Sequence, residues 1–261
     1  MAITTQEGYI IAKANARAIP IQKTSLANQA AGNFVSMFRA AGVPAQPAIP
    51  GAAAVCTSAT PGALLLPAVS GSNLRYLEAV NLTGTVAGIA HIVDRIIHSG
   101  GLSGVVFTPT VQTINTPALP ARAPVFEVEW FLECYTDLGA TGVNATFAVT
   151  YDDASTGNVV VAIPATLRAG RMLPINPAVS GRAIRSIESV TLSASTTAAG
   201  SFGVTCIDRI GAAIVIPIAN GGGILTNMIK PIDAAACLMV YLDASTTNSG
   251  DVRGSFVVIE G

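Results

Sequence analysis

One stretch of this chain is written twice. Residues 67–83 read PAVSGSNLRYLEAVNLT and residues 177–193, 110 positions later, read PAVSGRAIRSIESVTLS, with nine of seventeen positions identical. The match continues after a four-residue difference in spacing: IVDRI (92–96) answers CIDRI (206–210), and Pro117 answers Pro231. Further on, 126–134 corresponds loosely to 236–242, and NATFAV from Asn144 answers RGSFVV from Arg253. A fixed-period repeat constrains architecture more than any local pattern, and a unit of ~100 residues is an ordinary domain size. The chain therefore divides into an N-terminal segment 1–60, a first unit 61–168 and a second unit 169–261.

Inside the units the apolar period is two. In FEVEWFLEC, Phe126, Val128, Trp130, Leu132 and Cys134 share one face, and Glu127, Glu129, Phe131 and Glu133 share the other. That alternation predicts a half-buried strand with its glutamates on a solvated outer face. The polar loop DLGATG then leads to Ala145, Phe147, Val149 and Tyr151, alternating with polar or small residues, which reads as a hairpin. Short β-branched runs between Gly, Pro, Asn and Ser clusters predict an all-β protein of two tandem similar β-sandwich, jelly-roll-like domains.

Ahead of the units, Leu26, Ala30, Phe34, Phe38 and Ala41 recur at spacings of three and four, with Met37 beside them. The spacing predicts one short amphipathic α-helix, capped by Thr24 or Ser25 and ended by Gly42. An arm of some twenty residues precedes it, and the Pro/Ala strip GVPAQPAIPGAAA follows. An arm, an apolar-faced helix and an extended connector suit a chain that reaches a neighbouring subunit. Leu26, Phe34, Met37 and Phe38 are the candidate partner-docking residues.

Composition narrows the function. Of 261 residues 51% are hydrophobic and only 11% charged, against roughly a quarter charged in an ordinary soluble domain. With 14 basic and 15 acidic residues and no basic run, the footprint of a phosphate-binding surface is missing, so no specific nucleic acid is expected. The apolar stretches fall short of the ~20 residues that span a bilayer, so no membrane partner is expected either. MAITTQEGYI lacks the basic and apolar regions of a secretory signal, which predicts a protein made and retained in a cytoplasm. AsnxThr at Asn81 and Asn144 is then a chance match. Cys56, Cys134, Cys206 and Cys237 lack metal-ligand spacing and read as small buried hydrophobes.

Nothing in the chain converges on catalysis. His91 and His98 are the only histidines, and no nucleophile elbow, HExxH, GxGxxG or GK[ST] accompanies them. His91 reads as structural, since the second unit has Thr205 in its place. Asp152, Asp153 and Asp251 sit in turn-like loops that do not match an EF-hand. No catalytic, cofactor-binding or metal-binding residue is assigned. The informative charges are those kept in both units: Arg75 and Glu78 recur as Arg185 and Glu188, and Asp94 and Arg95 as Asp208 and Arg209. Asp94, Arg95, Asp208 and Arg209 are expected to tie strands or subunit edges together as structural ion pairs.

The stretch 25–67, SLANQAAGNFVSMFRAAGVPAQPAIPGAAAVCTSATPGALLLP, followed by small-residue β units, resembles structural proteins of bacteriophage virions. Within that class the chain looks most like a capsid decoration or cement protein. The resemblance implies a non-enzymatic homo-oligomer, a trimer foremost, that binds the major capsid protein or other virion proteins and is located in the virion. Two alternatives share the class: a small double-jelly-roll major capsid protein, and a tail or fibre component involved in receptor attachment.

Overall fold

The computed structural model describes residues 2–226 and 230–261, and it is nearly all β. Twelve of its strands form the frame: β1 (Arg17–Lys23), β2 (Asn33–Ser36), β3 (Arg75–Gly84), β4 (Gly88–His98), β5 (Val128–Thr136), β6 (Val143–Tyr151), β7 (Thr156–Ile163), β8 (Arg171–Pro174), β9 (Ile184–Leu192), β10 (Ser201–Ile216), β11 (Leu238–Ala244) and β12 (Val252–Glu260). Shorter strands at Gly42–Val43, Ala54–Val55, Gln112–Thr113, Gly221–Leu225 and Lys230–Ile232 fill edges.

The repeat is visible in the pairing. β4 pairs with β10 so that Asp94 stands directly opposite Asp208, and β2 pairs with β8 so that Phe34 stands opposite Met172. Each is a strand paired antiparallel with its own counterpart, as across a two-fold axis. The remaining pairings obey the same operation: Val80 opposite Phe256 is matched by Val190 opposite Phe147. Likewise Leu238 opposite Asp94 is matched by Val128 opposite Asp208. Each strand from β1 to β6 thus has its counterpart six strands later.

The hydrogen bonding places the units earlier than the sequence division does. The first structural unit begins at β1, inside the segment assigned to an arm, and the second begins at β7, ahead of residue 169. Nor does either unit close on itself. β3 pairs with β12 and β6 with β9, so the outer strands are exchanged between units. The ring β10-β5-β8-β2-β11-β4 returns to β10, a closed six-stranded barrel drawn from both units. The expected β5–β6 hairpin is therefore not a ladder: β5 lies in the barrel and β6 in the outer sheet β7-β6-β9.

Alternation decides which side chains fill which layer. Trp130, Leu132 and Cys134 of β5 and Phe202, Val204 and Cys206 of β10 pack outward against Phe147, Val149, Ile187 and Val190 of that sheet. On the other flank, Ala90, Ile92, Leu238, Val240 and Leu242 pack against Leu77, Val80, Leu82, Phe256 and Val258. The result is two sandwich cores sharing a barrel wall, with a third core, Phe38, Val93, Phe131, Met172, Ile207, Met239 and Tyr241, inside the barrel. A wall covered on both sides buries both faces of its strands.

The predicted helix over 26–41 is not formed. Asn33–Ser36 is β2, and Met37–Arg39 is one 3-10 turn. Four residues here bridge β8 and β11 and complete the barrel, a pairing that outweighs helical spacing in so short a run. The α-helix among the described residues is instead Gln6–Ala14. Thr5 caps it by accepting a 3.0 Å bond from the Gly8 N–H, and Glu7 sits in its first turn, where the helix dipole favours an acid. Tyr9 and Lys13 on that helix both reach the Glu78 carboxylate, at 2.8 and 2.9 Å.

Lys23 marks the seam between β1 and the 3-10 turn. Its ammonium is buried, donating to the carbonyls of Ala40 (3.2 Å) and Pro44 (2.6 Å). Burial, aided by the Arg39 charge, pushes its pKa down to about 8. Between that value and the ordinary ~10.4 the unfolded chain holds a proton that the folded chain has released, so the Lys23 contribution to stability rises with pH across this window. The stability difference between the wild type and Lys23→Met is expected to shift in favour of the wild type from pH 8 to 10.5, as read by urea melts.

Candidate functional site

Of the charged residues kept in both repeats, Asp94, Arg95, Asp208 and Arg209 lie on the barrel strands β4 and β10, whereas Arg75, Glu78, Arg185 and Glu188 lie on β3 and β9 of the outer sheets. Inward alternation on β4, β5 and β10 brings Arg95, Glu133 and Thr205 together. The Arg95 guanidinium donates to Glu133 Oε2 at 2.5 Å, and both side chains are fully buried. Thr205 Oγ1 donates to the same carboxylate oxygen. Arg95 also reaches the Tyr135 hydroxyl at 3.3 Å, and its guanidinium carbon lies 4.4 Å from the Phe38 ring centroid. Burial opposes ionisation of Glu133, but the Arg95 charge and the hydrogen bonds from Arg95 and Thr205 outweigh it and hold the carboxyl below its ordinary range. This overturns the solvated outer face expected for Glu133.

Arg209, the counterpart of Arg95, takes a different acid. Arg209 makes a two-pronged contact with Glu129, Nε to Oε1 at 2.7 Å and Nη2 to Oε2 at 2.9 Å. Both are about 40% exposed. The Arg209 guanidinium lies over Tyr241, on which the His91 ring stacks at 4.6 Å. Burial first, and the Arg209 charge second, push His91 below its ordinary pKa, which disfavours its protonation.

Asp94 faces a different partner. Its Oδ2 accepts from Arg122 Nε at 2.8 Å and its Oδ1 from the Cys237 N–H at 2.7 Å, while Arg122 also donates to the Cys56 carbonyl at 2.6 Å. One carboxylate thereby holds β4, the 122 loop, the connector at Cys56 and the start of β11. Burial raises the Asp94 pKa, against the pull of Arg122. Asp208 stands opposite Asp94 in the β4–β10 ladder.

Sequence reasoning overlooked the thiols as a pair. All four cysteines are free and buried, and Cys56 and Cys237 interact electrostatically through their thiols. That interaction, against burial and with help from His98 and Arg95, moves Cys56 down, while the same interaction and burial move Cys237 up. Their separation of 181 positions left no spacing signal. Glu133 did leave one, because its counterpart on β11 is also an acid, Asp243, so both units place a carboxylate at that register.

The four docking candidates do not form an exposed face. Met37 and Phe38 are buried at 0% and 2% exposure. Phe34 is half-buried, packed edge-on against Phe131 (5.9 Å) and Tyr241 (5.5 Å), and Leu26 is half-buried against the β3/β12 core. Exposed apolar surface gathers elsewhere. A groove of about 250 Å³ is lined by Ala18, Ile19, Pro20, Val43, Pro44, Leu65 and neighbouring residues. Leu65 on its rim is 78% exposed.

No protein-family model and no curated protein matches this chain. Among solved structures, a chain in the structure of infectious bursal disease virus Gx strain aligns with 94% of this chain and 79% of its own length, at 12% identity. The TM-score is 0.19, a weak likeness to a viral particle that carries no argument here. Paired as they are, the interior charges brace strands, and the groove beside Leu65 is an exposed, mainly apolar concavity.

Proposed function

We propose that this protein is a non-enzymatic virion structural protein that binds and stabilises a viral capsid lattice as a decoration or cement protein, acting as a homo-oligomer on the particle surface. The observation that carries the reading is the apolar groove beside Leu65, which lies along β1 at the edge of the outer sheet in a chain with only 11% charged residues. A cement protein needs such a face: it binds the assembled lattice better than free subunits, and many weak sites add by avidity. The exchange of strands between the two units favours this role over a double-jelly-roll shell protein, whose two barrels stand side by side.

Leu65→Asp combined with Val43→Asp places two carboxylates on the groove. Both positions are exposed, so far-UV circular dichroism and the melting temperature should change little, while occupancy on purified particles should drop at least tenfold by electron microscopy and gel densitometry. Unchanged occupancy overturns the docking face. Because the groove is apolar, attachment should also persist as ionic strength rises.

A further inference from the structure

The two-fold repeat gives the protein a built-in comparison between sheet edges. β1 and β7 are counterparts, each the outer strand beside β12 and β6 respectively. Exposed edges invite pairing with another chain, and proteins blunt them with proline, charge, bulges or a covering segment. β1 carries all but the bulge. Pro20 lacks an N–H, Arg17 and Lys23 bring charge, and Gly42–Val43 covers Gln22 and Lys23. β7 carries none of them. Its sequence TGNVVVAI has no proline and no charge, and its ladder with β6 runs unbroken over eight residues. No strand among the described residues lies on its outer side. Thr156, Asn158, Val160 and Ala162 are exposed, with Val160 at 60%, while Val159, Val161 and Ile163 are buried.

We propose that the open edge of β7 is an interaction surface for a second copy of this chain, joined antiparallel, β7 to β7, across a two-fold axis at Val160. The chain already pairs strands this way internally, β4 with β10 through Asp94 and Asp208 and β2 with β8 through Phe34 and Met172. Centred on Val160, the join sets each Val160 against its copy and Asn158 opposite Ala162 of the partner subunit, so no two charges meet. It also sets Val159 opposite Val161 of the partner subunit, so the buried face of the outer sheet continues from one copy into the next. A single strand pairing buries less than the ~1,200 Å² of a standard stable interface, which makes the contact weak in solution, with Kd on the order of 10–100 µM. The inference stands on the sheet edge alone and does not depend on the particle role.

The test uses the full chain. Light scattering across about 5–500 µM should show the mass rising toward twice that of the smallest species, and Val160→Lys should weaken this association tenfold or more by setting two ammonium groups across the axis. Val160→Cys should form an intermolecular disulfide under mild oxidation, since directly opposed residues place Cβ atoms ~4.5–5.5 Å apart and the native thiols are buried. Val215→Cys, equally exposed at 61%, is the control and should not cross-link. Circular dichroism confirms the fold of each variant. A mass that never rises, a rise that Val160→Lys leaves intact, or no Val160→Cys dimer where the wild type associates would each overturn the proposal. In the last two cases the edge serves a different partner or none.

Discussion

Arg95→Met is expected to lower unfolding stability by about 3–5 kcal/mol, because it strands the fully buried Glu133 carboxylate without its cation. At this chain length that corresponds to a drop of roughly 10 °C in Tm. Glu133→Leu should cost a similar amount by stranding the guanidinium. The informative variant removes the whole group: Arg95→Met with Glu133→Leu and Thr205→Val leaves no charge and no unpartnered hydroxyl of this set in the barrel, and should recover most of the loss. A triple variant as unstable as the singles would mean that the polar set is needed for the barrel to close in register, and urea melts of all three proteins decide it.

Phe38→Ala is expected to cost about 3–5 kcal/mol, the usual range for deleting a buried aromatic ring. The ring is 2% exposed and faces Arg95, so its loss leaves a gap against a buried guanidinium as well as a smaller core. Leu26→Ala, at a half-buried site, should cost only about 1 kcal/mol. A docking role would give the opposite pattern, with both variants stable and both defective on particles. Chemical denaturation, with hydrogen exchange on β4, separates the two outcomes.

How much was legible follows from what alternation encodes. The inward set Ala145, Phe147, Val149 and Tyr151 of β6 was readable because one face of that sheet is covered and the other is not. In β5 every residue from Trp130 to Tyr135 is buried, so alternation separates two faces without saying that both are inside, and by alternation alone Glu133 falls on a solvated face. The helix was misplaced for a related reason. Spacing of three and four across 26–38 arises by chance in so apolar a segment, whereas the helix that forms was marked by its cap, Thr5 with Glu7 two residues on.

Alternation and self-similarity along the chain are enough to make it β, to show one pattern used twice, and to single out Asp94, Arg95, Asp208 and Arg209 as its repeated charges. These are local or self-similar properties, and side-chain period and repetition carry them in full. The exchange of outer strands between the units, the assembly of the barrel from both, and the contrast between a blunted edge at β1 and an open one at β7 in the outer sheets emerge only in the folded chain. Strand pairing is made by backbone hydrogen bonds that every residue but proline offers alike, so partner choice is set by which closure buries the most apolar faces and leaves the fewest open edges, a property of the whole chain.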